Sequence, residues 1–438
     1  MTLPPPATAR RGQGPPTAIV PALTQGPTVP MISNLRSPRA ALRQDGLSAY
    51  CQDLFADFAR SDQRRWGEVY LRGLLQTPGR KTPAAISEQV LGRRTVQPIQ
   101  QFVNQSTWEA GDVRRRLAEL VGAAAPPQAW SVQDVVFPKN GTRSAGVARQ
   151  FVPRQGRMMN CQLAVATSLV SQHGSQPVNW QLVLPRHWDA DEELRSQAHV
   201  PDGVRCLPRH RLVLDSLDEM LGEWDVPLAP VLADWSHETE VEPLLVGLEE
   251  RGLGYLVQTG AATVLQAGAG GAHRAVPLAH RVHRAPAAVR RRAAELADEL
   301  GPQGERAVLA WRDAPDARAR HSQFVVAPLT AGRRGAGGPA AARHLVVEWP
   351  FGRSQPRTYW VTNLPVQRLP ELVALAELRG RAAADFERLH RDYGLGDFEG
   401  RSFRGWHHHV TLASAALGYD LLHGLARERG EDGSSATG

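Results

Sequence analysis

Asp134 and Asp234 are the residues of this chain best placed for metal chemistry. Each interrupts or ends a short apolar segment, Trp130 to Phe137 and Leu228 to Ala233, that reads as a buried strand. A carboxylate in such a place is costly unless it is paired or bound to a cation. Two of them together make half of a divalent-metal site of the kind that positions two ions about 3.5–4 Å apart for phosphodiester cleavage. A third carboxylate is sought on a late helix, and the sequence there reads Leu378-Arg379-Gly380-Arg381-Ala382-Ala383-Ala384-Asp385-Phe386. A different chemistry, a hydrolytic Asp234–His237 pair, lacks an identifiable nucleophile.

The elements that must hold these residues change period along the chain. Residues 1–40 are proline-rich with little to bury and are expected to be a disordered leader or an over-extended gene start. Residues 41–125 read as a helical N-terminal domain and a DNA-binding candidate, with Leu54, Phe55 and Phe58 on one face and a helix over Glu109–Val121. Strands are predicted at Trp130–Phe137, Ala145–Val152, Met158–Val170, Leu228–Asp234 and Gly254–Thr259, with helices at Arg209–Trp224 and Glu238–Arg251. That order gives a mixed sheet with helices on its faces. If the fourth strand lies beside the first, Asp134 and Asp234 become neighbours.

Residues 261–365 read as a β-rich insertion, with strands at Gln323–Ala327, His344–Trp349 and Thr358–Thr362 and Gly- and Ala-rich tracts at 267–272 and 331–342. The run Arg290-Arg291-Arg292 is taken as a solvated helix face. Residues 366–427 supply two helices that complete the core. The first runs from Leu369 to Tyr393, with Pro370 in its first turn and Gly394 placed to end it. Residues 428–438 form a polar tail, expected to be disordered.

Composition limits the function classes. All but two of the 51 Lys and Arg residues are arginine, the exceptions being Lys81 and Lys139, a bias that GC-rich coding explains as well as phosphate binding does. A net charge of +7 on 438 residues is weak evidence for nucleic acid. Cys51, Cys161 and Cys206 are too few and too scattered for a disulfide framework or a cysteine zinc site. No signal peptide or membrane span is visible, so a cytoplasmic location is expected. No nucleotide cofactor is expected either: Gly268-Ala269-Gly270-Gly271 is followed by His273 where a third glycine belongs. His407-His408-His409 cannot chelate one ion from consecutive helical positions and reads as a wet or DNA-facing helix start.

A resemblance sharpens these readings. Trp130-Ser131-Val132-Gln133-Asp134-Val135-Val136-Phe137-Pro138-Lys139-Asn140-Gly141, then Ser144 to Phe151 and Asn160-Cys161-Gln162, resemble the catalytic core of DDE transposases of the insertion-sequence 701 type. Further matching stretches are Phe58 to Trp66, Gln101 to Trp108, Val231 to Asp234, and Gly394 through His409, so the likeness spans roughly residues 50–425. It implies an α/β fold: an RNase H-like mixed sheet with flanking helices, a β-rich insertion and a helical N-terminal domain. It also implies a transposase of a bacterial insertion sequence, nucleoid-associated, that cuts and transfers DNA strands with Mg²⁺ or Mn²⁺. Its partners would be terminal inverted repeats and target DNA, with a homodimer as a further expectation.

In that family the late helix carries an Arg, three residues, the catalytic Glu, six residues and a Lys. Here Arg379 matches, while Ala383 and His390 stand at the Glu and Lys positions. Gln133 and Val135 stand where the family favours Asp and Thr, and Trp235-Ser236-His237 follows the second Asp where small and tyrosyl residues are usual. The expected metal ligands are Asp134 and Asp234, with Glu387, one turn beyond Ala383, as a substitute third group. Lys139, Arg143, Arg379, Arg381 and His390 are the candidate DNA contacts. Loss of one ligand of three predicts impaired catalysis, and the alternative is a non-catalytic DNA-binding relic or a domesticated transposase-derived protein.

Overall fold

Alternating apolar residues fold as β1 (Ala129–Pro138), β2 (Ala148–Val152) and β3 (Arg157–Ser171), and a strand that the sequence reading missed, β4 (Gly174–Val183), follows at once. The structure is a computed structural model that describes residues 46–268, 288–300, 306–315, 317–330 and 342–435. The expected leader, the glycine-rich tracts beyond Gly268 and over 331–341, and residues 436–438 lie outside the described residues, while the tail expected to be disordered from 428 is instead helical as far as Ser435. β1, β3 and β4 form the antiparallel meander, whereas β2 pairs only with the first residues of β3. β4 was hidden by Pro177 and by Gln176 and Asn179, polar residues that are buried and hydrogen-bonded to the Ser414 and Ser216 carbonyls.

The crossovers run as expected. After two short helices, α6 (His187–Ala190) and α7 (Glu192–Gln197), helix α8 (Arg209–Glu223) leads into β5 (Val231–Trp235), and α9 (Glu242–Glu250) leads into β6 (Tyr255–Thr259). β5 lies parallel to β1, with Val132 opposite Ala233, and β6 lies parallel to β5. The insertion does not make a separate sheet of all its strands. β9 (Ala307–Trp311), β10 (Arg320–Leu329), β11 (Arg343–Pro350) and β12 (Thr358–Thr362) extend the main sheet by pairing β12 with β6. The strand order is β2-β3-β1-β5-β6-β12-β11-β10-β9, with β4 on β3. Arg290–Arg292 is not a helix face. It belongs to β8 (Ala288–Arg292), which pairs with β7 (Val264–Gly268) just before helix α10 (Ala293–Leu300).

Helices cover both faces. On one side α8 and α9 bury Leu214, Leu217 and Leu245 against Trp130, Val132 and Val231. On the other, α11 (Leu369–Tyr393) and α12 (Phe403–Ser435) pack Phe386 and Trp406 edge to face against Phe137 and Trp180, at 5.5–6.2 Å centroid distance. The N-terminal helices α1 (Gly46–Leu54), α2 (Ser61–Gln76), α3 (Pro83–Leu91), α4 (Val96–Asn104) and α5 (Ala110–Ala124) join this second core through Phe55, Leu71 and Leu117. His408 and His409 are part of it, which corrects the wet-helix reading. His408 stacks on Trp108 at 3.6 Å, and His409 bonds the Tyr70 hydroxyl at 2.9 Å. Among the described residues no helix is long and apolar enough to cross a membrane.

Candidate functional site at the ends of β1 and β5

Strand adjacency is as the element order predicts, but side-chain adjacency is not. Residues level with one another on parallel strands face the same side of the sheet, and the pairs run Trp130 with Val231 to Val132 with Ala233. The next step brings Gln133, not Asp134, level with Asp234. Trp130 and Val132 belong to the α8–α9 core, and Val135 and Phe137 to the α11–α12 core. Asp134 therefore projects toward α8, and Asp234 toward α11. The expectation that these two carboxylates grip a common ion is corrected by the period of two along a strand.

Each aspartate has its own partners. Arg209, the first residue of α8, donates from Nε to Asp134 Oδ1 at 2.8 Å and from a terminal nitrogen to the Asp234 carbonyl at 3.1 Å. Its guanidinium lies 3.8 Å from the Trp235 ring centroid, which fixes it on the α8 side. On the other side, Asp234 Oδ2 accepts from Arg379 at 2.8 Å and Arg154 at 2.9 Å, while Oδ1 accepts from the Ser236 hydroxyl at 2.6 Å and its backbone N–H at 3.0 Å. Burial alone would raise the Asp234 carboxyl. Arg379, Ser236 and Arg154 outweigh it and hold the group at about 2. Burial also lowers Arg379, but from so high an ordinary value that the guanidinium stays charged.

Local packing explains how Arg379 reaches the strand. The loop after β9 lies directly on α11: the Arg312 N–H donates to Glu377 at 2.6 Å, and a Cβ at Gly380 would overlap the Asp313 carbonyl oxygen. Only glycine at 380 allows that approach, and the contact locks the helical turn that carries Arg379.

The other predicted residues disperse. Ala383 and Glu387 are exposed on α11, and Glu387 lies eight residues, about 12 Å along the axis, beyond Arg379. Burial lowers the His390 imidazole and the Glu387 charge only partly opposes it; the half-buried ring sits 5.9 Å from that of Phe137. Arg381 donates to the Gln172 carbonyl in the β3–β4 turn. Lys139 Nζ donates to the Phe398 carbonyl at 3.1 Å, so it ties the end of β1 to the chain after α11. Arg143 is exposed in the turn after β1. Arg154 and Arg209 were missed. Gln133 and Ser236 were visible only as departures from the resembled family, Gln133 at a position where that family favours Asp and Ser236 within the stretch after the second Asp.

A two-metal centre does not fit this donor set. Both oxygens of Asp234 are taken by internal donors, Gln133 offers an amide that lies 3.4 Å from Ser131 Oγ, and α11 presents Ala383. Among the described residues no group of three or more His, Cys, Asp or Glu side chains is placed to hold a metal ion.

No curated protein matches the chain. The sequence model of one family, described as DDE superfamily endonuclease, matches residues 53–318. Endonucleases of that superfamily act on DNA and are generally dependent on divalent metals. The match runs from the end of α1 through the meander, both aspartate strands and into the insertion, and stops before α11. With more than half of its length matched and a mixed, RNase H-like sheet to carry it, this chain belongs to the DDE superfamily endonuclease family.

Proposed function

We propose that this chain is a transposase-derived protein of the insertion-sequence 701 type that binds DNA and has lost metal-dependent strand cleavage. One observation carries the reading: Asp234 faces α11 without a second carboxylate beside it, because its level neighbour on β1 is Gln133. The first acidic position of the scaffold is then Gln133 rather than Asp134, and the third is Ala383. Both are places where the resembled family has carboxylates. Two of three ligands are missing, and two-ion chemistry needs oxygen ligands that bridge and position the pair. Arg379 and Arg154 leave a net positive charge around Asp234, which suits a phosphate better than a cation.

The test is restoration of the donor set. Wild type should show no Mn²⁺ bound at this site by electron paramagnetic resonance. Ala383→Glu alone should add little, and Gln133→Asp with Ala383→Glu should create a bound Mn²⁺ signal that Asp234→Asn abolishes. Mg²⁺-dependent cleavage of duplex DNA by the wild-type chain, lost in Asp234→Asn, would overturn the reading.

A further inference from the structure

The β2–β3 hairpin has features that nothing in the metal site explains. β1 stops pairing with β3 at Pro138 opposite Cys161, so β3 residues 157–160 and their β2 partners extend past the end of β1. Pro153 to Gln155 and Gly156, whose φ of +62° favours glycine, make the turn. Phe151 and Met158 are register partners and so share one face. They are 55% and 51% exposed, among the most exposed large apolar side chains among the described residues.

The hairpin's own charge is of one sign. No acidic residue occurs between Asp134 and Asp189, and that interval carries Lys139, Arg143, Arg149, Arg154, Arg157 and Arg186. Arg149 and Arg157 are exposed on the hairpin itself. Arg154, at the turn, is the residue that bonds Asp234, so the tip is tethered to the end of β5. The apolar pair thus sits beside the candidate site, on an arginine-bearing arm.

We infer that this hairpin is a DNA-distorting element: Arg149 and Arg157 grip backbone phosphates while Phe151 and Met158 insert at a base step of duplex DNA and unstack it. Apolar side chains used in this way wedge between bases while arginines hold the backbone. Charge complementarity selects the occupant, since a polyanion neutralises an arm that has no carboxylates of its own. The inference rests on the DNA-binding reading above and adds the element that contacts bases.

The experiment uses the full chain and a short mixed-sequence duplex carrying 2-aminopurine, whose fluorescence rises when it is unstacked. Wild type should bind by anisotropy and raise the 2-aminopurine signal. The double variant Phe151→Ala, Met158→Ala should lose that rise and bind about tenfold more weakly, as expected for the loss of base stacking. Phe151→Trp should keep both. Arg149→Ala with Arg157→Ala should flatten the salt dependence of binding by about one unit of slope per lost phosphate contact. Circular dichroism and elution volume should be unchanged in every variant. Wild-type binding with the alanine pair fully active in both readouts overturns the hairpin alone, and so does a change of oligomeric state in that variant. Failure of wild type to bind any duplex overturns the DNA-binding reading together with the hairpin.

Discussion

The two faces of the sheet at Asp134 and Asp234 treat the same residue type in opposite ways. Asp134 keeps 39% of its side chain in water and has one arginine, which is also stacked on Trp235. Asp234 keeps 9% and is held by two arginines and a serine. The first is a half-solvated ion pair at the start of a crossover helix. The second joins the β2–β3 hairpin, β5 and α11. What differs is which face of the sheet each side chain points to, and that follows from a single-residue offset between neighbouring strands.

The contrast breaks most sharply on removal of each acid. Asp234→Ala leaves Arg154 and Arg379 without their carboxylate. Both keep about a third of their side-chain surface in water, 38% and 31%, so the loss should fall below that of a fully buried pair, at about 2–3 kcal/mol in urea unfolding. The same change at Asp134 should cost under about 1 kcal/mol. Equal losses at the two positions would erase the distinction.

Acid titration sharpens the same comparison. The Asp234 carboxyl falls from an ordinary value of 3.8 to about 2 in the folded chain. Its contribution is therefore present above the ordinary value and is lost as pH falls from there through about 2, an effect of order 2 kcal/mol. His408 and His409 act at higher pH. Burial first of all drives both down to about 4, so they stay neutral when folded, and stability declines as pH falls from 6.5 toward 4. Unfolding free energy measured against pH should show both declines, and Asp234→Asn should remove only the lower one.

How much of this could be read from the chain depends on whether a local pattern or a tertiary partner decides it. The apolar runs at β1, β3, β5 and β6 and the α11 boundaries, from Pro370 to Gly394, are local and were legible. β4 was not, because its polar residues are satisfied by Ser216 and Ser414, far away in sequence. The Asp134–Asp234 pairing failed for a related reason. Periodicity says that both strands are buried, but their mutual register is set by contacts across the sheet, and one residue of offset moves a side chain to the other face. Gln133 was visible only as a departure from the resembled family. Arg154 carried no signal at all, since a turn arginine reads the same whether it meets solvent or a carboxylate on another strand.

The finest form of the comparison concerns Arg209, whose side chain lies on the Asp134 face and touches Asp234 only through its backbone carbonyl. Arg209→Ala removes a charge-assisted bond to Asp134, a bond to the Asp234 carbonyl and the stacking on Trp235, and should destabilise by about 1–2 kcal/mol. Arg209→Lys should recover little of it, because an ammonium cannot lie flat on the indole while it reaches two acceptors. In the Arg209→Ala background, Asp134→Asn should then cost almost nothing further, as a double-mutant cycle reads for two members of one pair. The same cycle run between Arg209 and Asp234 should be close to additive, since only the Asp234 backbone is shared. A large coupling there would mean that the two faces communicate through the strand, and that Asp134 and Asp234 form one site after all.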